Sequence, residues 1–372
     1  LVDKKPKTET KTQMPQKCLG DRFKLRIIPS LQILNYCYER ETLNPSTLGI
    51  VENATEDLIF TPYECETIAQ EFASVTIAQQ YESQVSDLTK AQQYSDETPN
   101  ITKAQQYSDE TPDITIALEF STPSPDITKA QQYSDETPDI TIAQQLSVPK
   151  RLRGKEAIAE KYRQLTHEVN LLHSSHHASF NPNDPLNSLL LLADTHVRLG
   201  ELINWRTPEL TDVFLSCCET NVNTPKLTDD VLTLATAFLC IGARNVVCTQ
   251  WAVDDLASAL LSVFYYQFRQ QNNSRPRALQ LAQTQLRQLT GEEITAKYKD
   301  SFSNHLSQQK QYYLQLKQTA KSNTNEKLME NIDKLINKID NQLNIMLPYH
   351  CQQKYPFISP YYWSGFTCQG LA

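Results

Sequence analysis

Two short polar motifs carry the side chains best suited to chemistry. The first, His173-Ser174-Ser175-His176-His177-Ala178, follows the apolar run Val169 to Leu172. The second, Ser216-Cys217-Cys218-Glu219-Thr220, follows Val213 to Leu215 and places Cys218 41 positions after His177. In each, an apolar run gives way to small and polar residues, the pattern of two parallel strands ending side by side. A thiol of ordinary pKa, about 8.5, is a poor nucleophile at neutral pH unless a base or a cation stands beside it. An imidazole meets that need, so a Cys/His pair capable of acyl transfer is the chemistry these motifs suggest. Strand alternation turns Cys217 and Cys218 to opposite faces.

Other chemistries fit less well. A metal site could draw on Cys217, Cys218, His173, His176 and His177, but adjacent cysteines do not readily face one tetrahedral ion and no Cys-x2-Cys pair exists. No metal is expected. With 8 glycines and no glycine-rich loop, a phosphate cradle is not expected either. Lys150, Arg151, Arg153 and Lys155 form a short basic cluster that reads better as a solvated flank than as a nucleic-acid stripe, so no nucleic-acid partner is expected. Nothing in the sequence calls for a cofactor.

The elements that must position the two motifs alternate between strand-like runs and helix patterns. Phe23 to Pro29 and Leu48 to Val51 read as strands, and Thr61-Pro62-Tyr63-Glu64 opens a helix to about Phe72. Glu156 to Gln164 reads as a helix and Glu168 to His173 as the next strand. Leu189 to Ala193 and Val197 to Ile203 read as an excursion. Thr228-Asp229-Asp230 caps a helix through Cys240 that Gly242 can close, and Asn245 to Thr249 is a further strand. Asp254 to Gln270 and Pro276 to Leu289 are clear amphipathic helices. The alternation predicts an α/β fold with a mostly parallel sheet flanked by helices.

Two segments break the pattern. Residues 76–148 are an acidic tandem repeat of 13 residues, Thr89-Lys90-Ala91-Gln92-Gln93-Tyr94-Ser95-Asp96-Glu97-Thr98-Pro99-Asn100-Ile101, returning at 102–114 and 128–140. A unit with one proline and one or two large apolar groups buries little surface, so this low-complexity insertion is expected to be disordered. It holds twelve Asp/Glu and three Lys, which accounts for the net charge of −8 and leaves 31 acids against 32 bases elsewhere. Residues 291–345 are polar with Leu328, Ile332, Leu335, Ile336, Ile339 and Leu343 at helical spacing, a late helical insertion before the last core strand. Residues 1–20 read as a flexible tail, and the aromatic end Ser359 to Cys368 reads as a docked final strand.

Nine cysteines form an odd number without a regular framework, which favours a reducing, cytoplasmic setting. No apolar h-region opens the chain, and no stretch approaches 18 apolar residues, so neither a signal peptide nor a membrane span is expected.

The motifs together carry a resemblance. His first and Cys about 50 residues later is the order of caspase-like proteases. The series Leu172-His173-Ser174-Ser175-His176-His177-Ala178-Ser179-Phe180-Asn181-Pro182, then Leu190-Leu191-Leu192-Ala193-Asp194 and Leu199-Gly200-Glu201-Leu202, resembles the histidine half of CHAT domains. Val213 to Thr220, Ala237-Phe238-Leu239-Cys240-Ile241-Gly242-Ala243-Arg244, Gln250-Trp251-Ala252-Val253-Asp254-Asp255 and Tyr361-Tyr362-Trp363 resemble the second half. The resemblance covers residues 21–372, interrupted by 76–148 and 291–345. It implies a caspase–hemoglobinase-like fold and a cysteine endopeptidase of the kind found in bacteria, notably cyanobacteria, beside tetratricopeptide repeats that sense a partner. Its expected partner is a protein or peptide substrate.

By the family's register, His, three residues, His, then a small residue, the imidazole is His177, and the nucleophile is Cys218, the residue before Glu219-Thr220. The oxyanion would take backbone N–H groups at Ala178 and Cys218. The family's glycines are Ala178 and Asn221 here, which leaves a catalytically inactive scaffold or adaptor as the alternative. The loop Gln250 to Asp255 is the candidate substrate pocket, where Asp254 and Asp255 would favour a basic P1 residue; Asp254 is equally well placed as a helix N-cap.

Overall fold

The computed structural model describes residues 18, 29–40, 47–73, 148–181, 183–216, 233–322 and 326–371. The described strands are β1 (Leu48–Glu52), β2 (Lys150–Arg153), β3 (Leu171–Ser175), β4 (Ala178–Ser179), β5 (Leu189–Leu191), β6 (His196–Arg198), β7 (Asp212–Leu215), β8 (Asn245–Thr249) and β9 (Phe366–Gly370). Six form one sheet in the order β2-β1-β3-β7-β8-β9, and β4-β5-β6 form a small antiparallel one. In the large sheet β1, β2, β3, β7 and β8 run parallel, and β9 lies antiparallel on β8. Every residue of β1, β7 and β8 is buried, the consequence of apolar runs covered on both faces.

Strand alternation sorts the two faces. Val51, Leu172, Val213 and Val246 join one core with Tyr162 and Leu165 of α3 (Ala159–Glu168) and Phe238 of α5 (Leu234–Ile241). Their neighbours His173 and Phe214 face the other way, against Tyr265 and Tyr266 of α6 (Asp255–Gln270). Further helices are α1 (Leu31–Glu39), α2 (61–73), α4 (Leu199–Leu202), α7 (Arg275–Gln288), α8 (Lys299–Ser322), α9 (Glu326–Asn341) and α10 (Leu347–Gln352). The molecule is therefore an α/β fold with a mostly parallel six-stranded sheet flanked by helices.

Several boundaries differ from those read in the sequence, each for a physical reason. The helix expected over Glu156 to Gln164 runs instead over Ala159–Glu168, because a 3₁₀ turn, Gly154–Glu156, precedes it. Its first free N–H, on Ala159, is capped by Asp194 Oδ1 at 2.9 Å, from 35 positions away. No local capping residue marks that start. The strand expected over Glu168 to His173 lies over Leu171–Ser175; its polar end is satisfied internally, Ser174 by the Tyr162 hydroxyl and Ser175 by Glu64.

The N-cap of α5 is Thr233, whose hydroxyl accepts from Thr236 N at 3.2 Å; Thr228, Asp229 and Asp230 lie outside the described residues. So does the strand expected from Phe23, apart from its last residue, Pro29.

Gly242 ends α5 as anticipated, and its N–H reaches Phe238 O. A Cβ there would sit 2.0 Å from Thr207 O. Gly242→Ala is expected to lower unfolding free energy by about 1–3 kcal/mol, the usual cost of forcing extra volume into a packed site. Urea denaturation of the two proteins reads the difference.

The polar late segment is helical and pairs antiparallel: Lys310 meets Asp340, and Lys317 meets Asp333. Ile332, Ile336 and Ile339 are the buried stripe of α9. The helical path continues past 345 into α10 through a π turn, Gln342–Met346, which directly precedes the helix that holds Pro348.

By contact the chain divides into two units, 1–69 with 149–372, and 70–148. The tandem repeats belong to the second and lie outside the described residues, as does the tail expected over 1–20 apart from Cys18.

Candidate active site

Because β1, β3, β7 and β8 are parallel, the loops that follow them leave from the same end of the sheet. That is where open α/β sheets bind ligands. The described part of the loop after β7 stops at Ser216, whose N–H donates to Ser174 O at 2.9 Å. Cys217, Cys218, Glu219, Thr220 and Asn221 lie outside the described residues.

The three histidines around β3 occupy different environments. His173 is buried inside the strand between the Tyr266 hydroxyl, 3.3 Å from Nδ1, and Glu64, whose Oε1 is 3.2 Å from Nε2. His176 is also fully buried: Nδ1 lies 2.9 Å from His177 O and Nε2 lies 2.8 Å from Ser174 Oγ. Burial pulls its ring down to about 4, so it is neutral at pH 7. A neutral ring in that setting donates from Nδ1–H and accepts at Nε2, and it makes a T-shaped contact with the Tyr162 ring. His176 thus ties the turn at the end of β3 to its own backbone.

His177 points elsewhere. Its ring is partly exposed and its Nε2 lies 3.0 Å from Asp57 Oδ1. Asp57 comes from the loop after β1, brought beside β3 by the pairing of Glu52 with Ser175. Asn53 shapes that loop: it adopts φ 44, which asparagine tolerates better than most residues, and its Oδ1 accepts from Asp57 N and Leu58 N at 3.0 Å each. Burial raises the Asp57 carboxyl, but the hydrogen bonds from His177 and Thr55 and the charges of His177 and Lys338 outweigh it and hold the group at about 2. Asp57 is therefore a carboxylate throughout the neutral range. It was not among the sequence candidates; its only local signal is a polar Asn53-Ala54-Thr55-Glu56-Asp57 turn directly after an apolar strand.

Ala178 opens β4 opposite Leu190, with its side chain buried. Asp254 and Asp255 both face backbone amides. Asp254 is the N-cap of α6, its Oδ1 accepting from Ala257 N at 3.0 Å. Asp255 Oδ2 accepts from Ile59 N at 3.1 Å and Phe60 N at 3.4 Å, with Lys338 Nζ at 3.9 Å. A basic P1 side chain would compete with these N–H groups. The strand-end loop that carries both is pinned by the C-terminal segment, Gln250 N on Gly365 O and Trp251 Nε1 on Tyr361 O.

Burial raises the Asp255 carboxyl to about 6, with Asp254 and Glu64 adding to it against Lys338 and the Phe60 amide. Between the ordinary value near 3.9 and about 6 the folded chain holds the extra proton, so stability falls as pH rises through that window. Asp255→Asn is expected to be more stable than the natural chain by up to about 2 kcal/mol at pH 8, the gap closing near pH 4. Melting curves at the two pH values check this; a gap independent of pH would contradict it.

Lys150, Arg151 and Arg153 belong to β2, just after the 76–148 insertion, and they meet acids: Lys150 with Glu168, Arg151 with Glu52 and Glu66, Arg153 with Glu52. Among the described residues no group of three or more His, Cys, Asp or Glu is placed to hold a metal ion. No helix among them is long and apolar enough to cross a membrane.

Comparison with curated proteins returns no match. The profile of the CHAT domain matches residues 8–371, nearly the whole length, and it describes a caspase-like peptidase family whose mostly parallel sheet agrees with the fold above. The chain belongs to the CHAT domain family.

Proposed function

We propose that the chain is a caspase-like cysteine endopeptidase in which Cys218 is the nucleophile and His177 its base. The observation that carries this reading is the position of His177: it follows β3 directly, at the sheet end from which β7 runs into Cys217–Cys218, and its ring is held by an ionised carboxylate. Two peptide units separate Ser216 from Cys218, and a chain spans at most about 3.6 Å per residue, so the thiol is tethered to the strand beside β3. The buried, neutral ring of His176 is already engaged at both nitrogens, which supports giving the proton transfers to His177.

In the reaction the Cys218 thiol gives its proton to His177, and the sulfur attacks a peptide carbonyl carbon. The carbonyl electrons move to oxygen, and the oxyanion takes N–H bonds from the backbone at Cys218 and Ala178. Collapse breaks the C–N bond as His177 returns its proton to the leaving amine. A water, deprotonated by His177, then cleaves the thioester and restores the thiol. Alanine at 178 still supplies an N–H, and asparagine at 221 visits the left-handed backbone more readily than most residues.

A peptide library incubated with the natural chain, Cys218→Ala and His177→Ala tests this. Cleavage by the natural chain alone supports the endopeptidase; a thiol-reactive peptide probe that fails to label Cys218 under any condition favours an inactive scaffold. Cys65 and Cys248 do not confuse the probe, since burial pushes both thiols up, Cys248 to about 11.

A further inference from the structure

We propose that Asp57 is a positioning residue for His177: its carboxylate holds Nε2–H, which makes Nδ1 the ring atom that exchanges a proton with Cys218. This rests on the Cys218/His177 reading above. The carboxylate is built into place rather than met by chance. Its backbone is tied on both sides, Asp57 N to Asn53 Oδ1 at 3.0 Å and Asp57 O to Lys338 Nζ at 3.2 Å, while the Tyr313 hydroxyl holds Glu56 O at 2.8 Å. Thr55 Oγ1 donates to the same Oδ1 that faces His177, so the side chain is fixed as well.

The loop also adopts backbone that most residues avoid, φ 44 at Asn53 and φ 59 at Glu56. Left-handed non-glycine residues are retained where the surrounding structure over-determines them, commonly at functional sites. Here the two bracket the turn that brings Asp57 back over the end of β3.

The chemistry follows from the imidazole. A neutral ring has one N–H, and a carboxylate selects the nitrogen that carries it. With Nε2–H on Asp57, the lone pair that takes the thiol proton is at Nδ1. After that transfer the ring is a cation against a carboxylate, which favours the thiolate–imidazolium pair over the neutral one. The Nε2 proton stays on the ring throughout, and Asp57 is not protonated in the cycle. Lys338 is the other cation that faces this carboxylate.

The test is the rate of Cys218 alkylation by iodoacetamide, followed by mass spectrometry of its peptide, on full chains of the natural sequence, Asp57→Asn, His177→Ala and the double variant from pH 5 to 10. Asp57→Asn is expected to slow alkylation about tenfold at pH 7, one pK unit of lost support for the ion pair. The gap should close by about pH 10, where the thiol ionises without help. In the His177→Ala background the same substitution should change nothing further, since the coupling runs through the ring. Slowing by the same factor at every pH, or alkylation newly appearing at buried Cys65 and Cys248, would mark a fold defect and overturn the role. If His177→Ala is slow but Asp57→Asn is normal, Asp57 alone is excluded. If His177→Ala reacts at the natural rate, the Cys218/His177 reading itself falls, and the role of Asp57 with it.

Discussion

Arg275→Ala is expected to destabilise the fold by about 3–5 kcal/mol, because it leaves a buried carboxylate without its cation. Arg275 is the first residue of α7 and Asp212 the first of β7; Nε and Nη2 of the guanidinium meet Oδ1 and Oδ2 of the carboxylate in a two-pronged pair. Both side chains are largely withdrawn from water, at 16% and 8% exposure, which separates this pair from the exposed ones on α8 and α9. Desolvation lowers the Arg275 pKa, but the bonds and charge of Asp212 more than restore it. Asp212→Ala should cost a comparable amount for the mirror reason. The double substitution Asp212→Leu with Arg275→Leu should recover much of the loss, since a well-packed apolar pair no longer has to leave water as ions. Urea denaturation of all four proteins decides it. Single variants within about 1 kcal/mol of the natural chain would show that the pair behaves like a surface bridge.

The two adjacent histidines should respond in opposite ways. His177→Ala is expected to reduce Cys218-dependent peptide cleavage by about 10²- to 10⁴-fold, the range for losing a general acid–base group. Its ring is partly exposed and outside the core, so the melting temperature should hardly move. His176→Ala removes a fully buried ring together with its bonds to the Ser174 hydroxyl and the His177 carbonyl, at a cost of about 2–4 kcal/mol. Activity lost with His176→Ala should return on cooling as the folded fraction rises. The reverse pattern, an unstable His177→Ala and a stable but inactive His176→Ala, would exchange the two assignments.

Where neighbours in sequence decide the structure, the fold was legible. β8, α6 with its Asp254 cap, the close of α5 at Gly242 and the helical pairing of α8 with α9 all follow from apolar runs, capping residues and helical spacing in their own segments. The start of α3 was not, since its cap is supplied by Asp194, and the polar end of β3 was not, since Tyr162, Thr61 and Glu64 reach it from other elements. The candidate site shows the same division. Three histidines could be listed from the motif; His176 bonds within its own turn, while His173 and His177 are told apart by tertiary partners, Glu64 and Tyr266 for one and Asp57 for the other. Asp57 lies 120 positions from His177, and nothing in either segment announces the other. Only the parallel pairing of β1 with β3 makes them neighbours.

The placement of β2 has a consequence for how the molecule behaves in company. Among the described residues no strand lies outside it, so it presents one margin of the large sheet. An open margin of unpaired N–H and C=O groups is a template on which a strand from another chain can add, the first step toward aggregation. β2 is only four residues long and three of them are basic, with Lys150 and Arg153 exposed. An incoming strand would have to crowd those charges or break their pairing with Glu52, Glu66 and Glu168. Short length and charge at that margin guard the sheet against growing beyond its own chain.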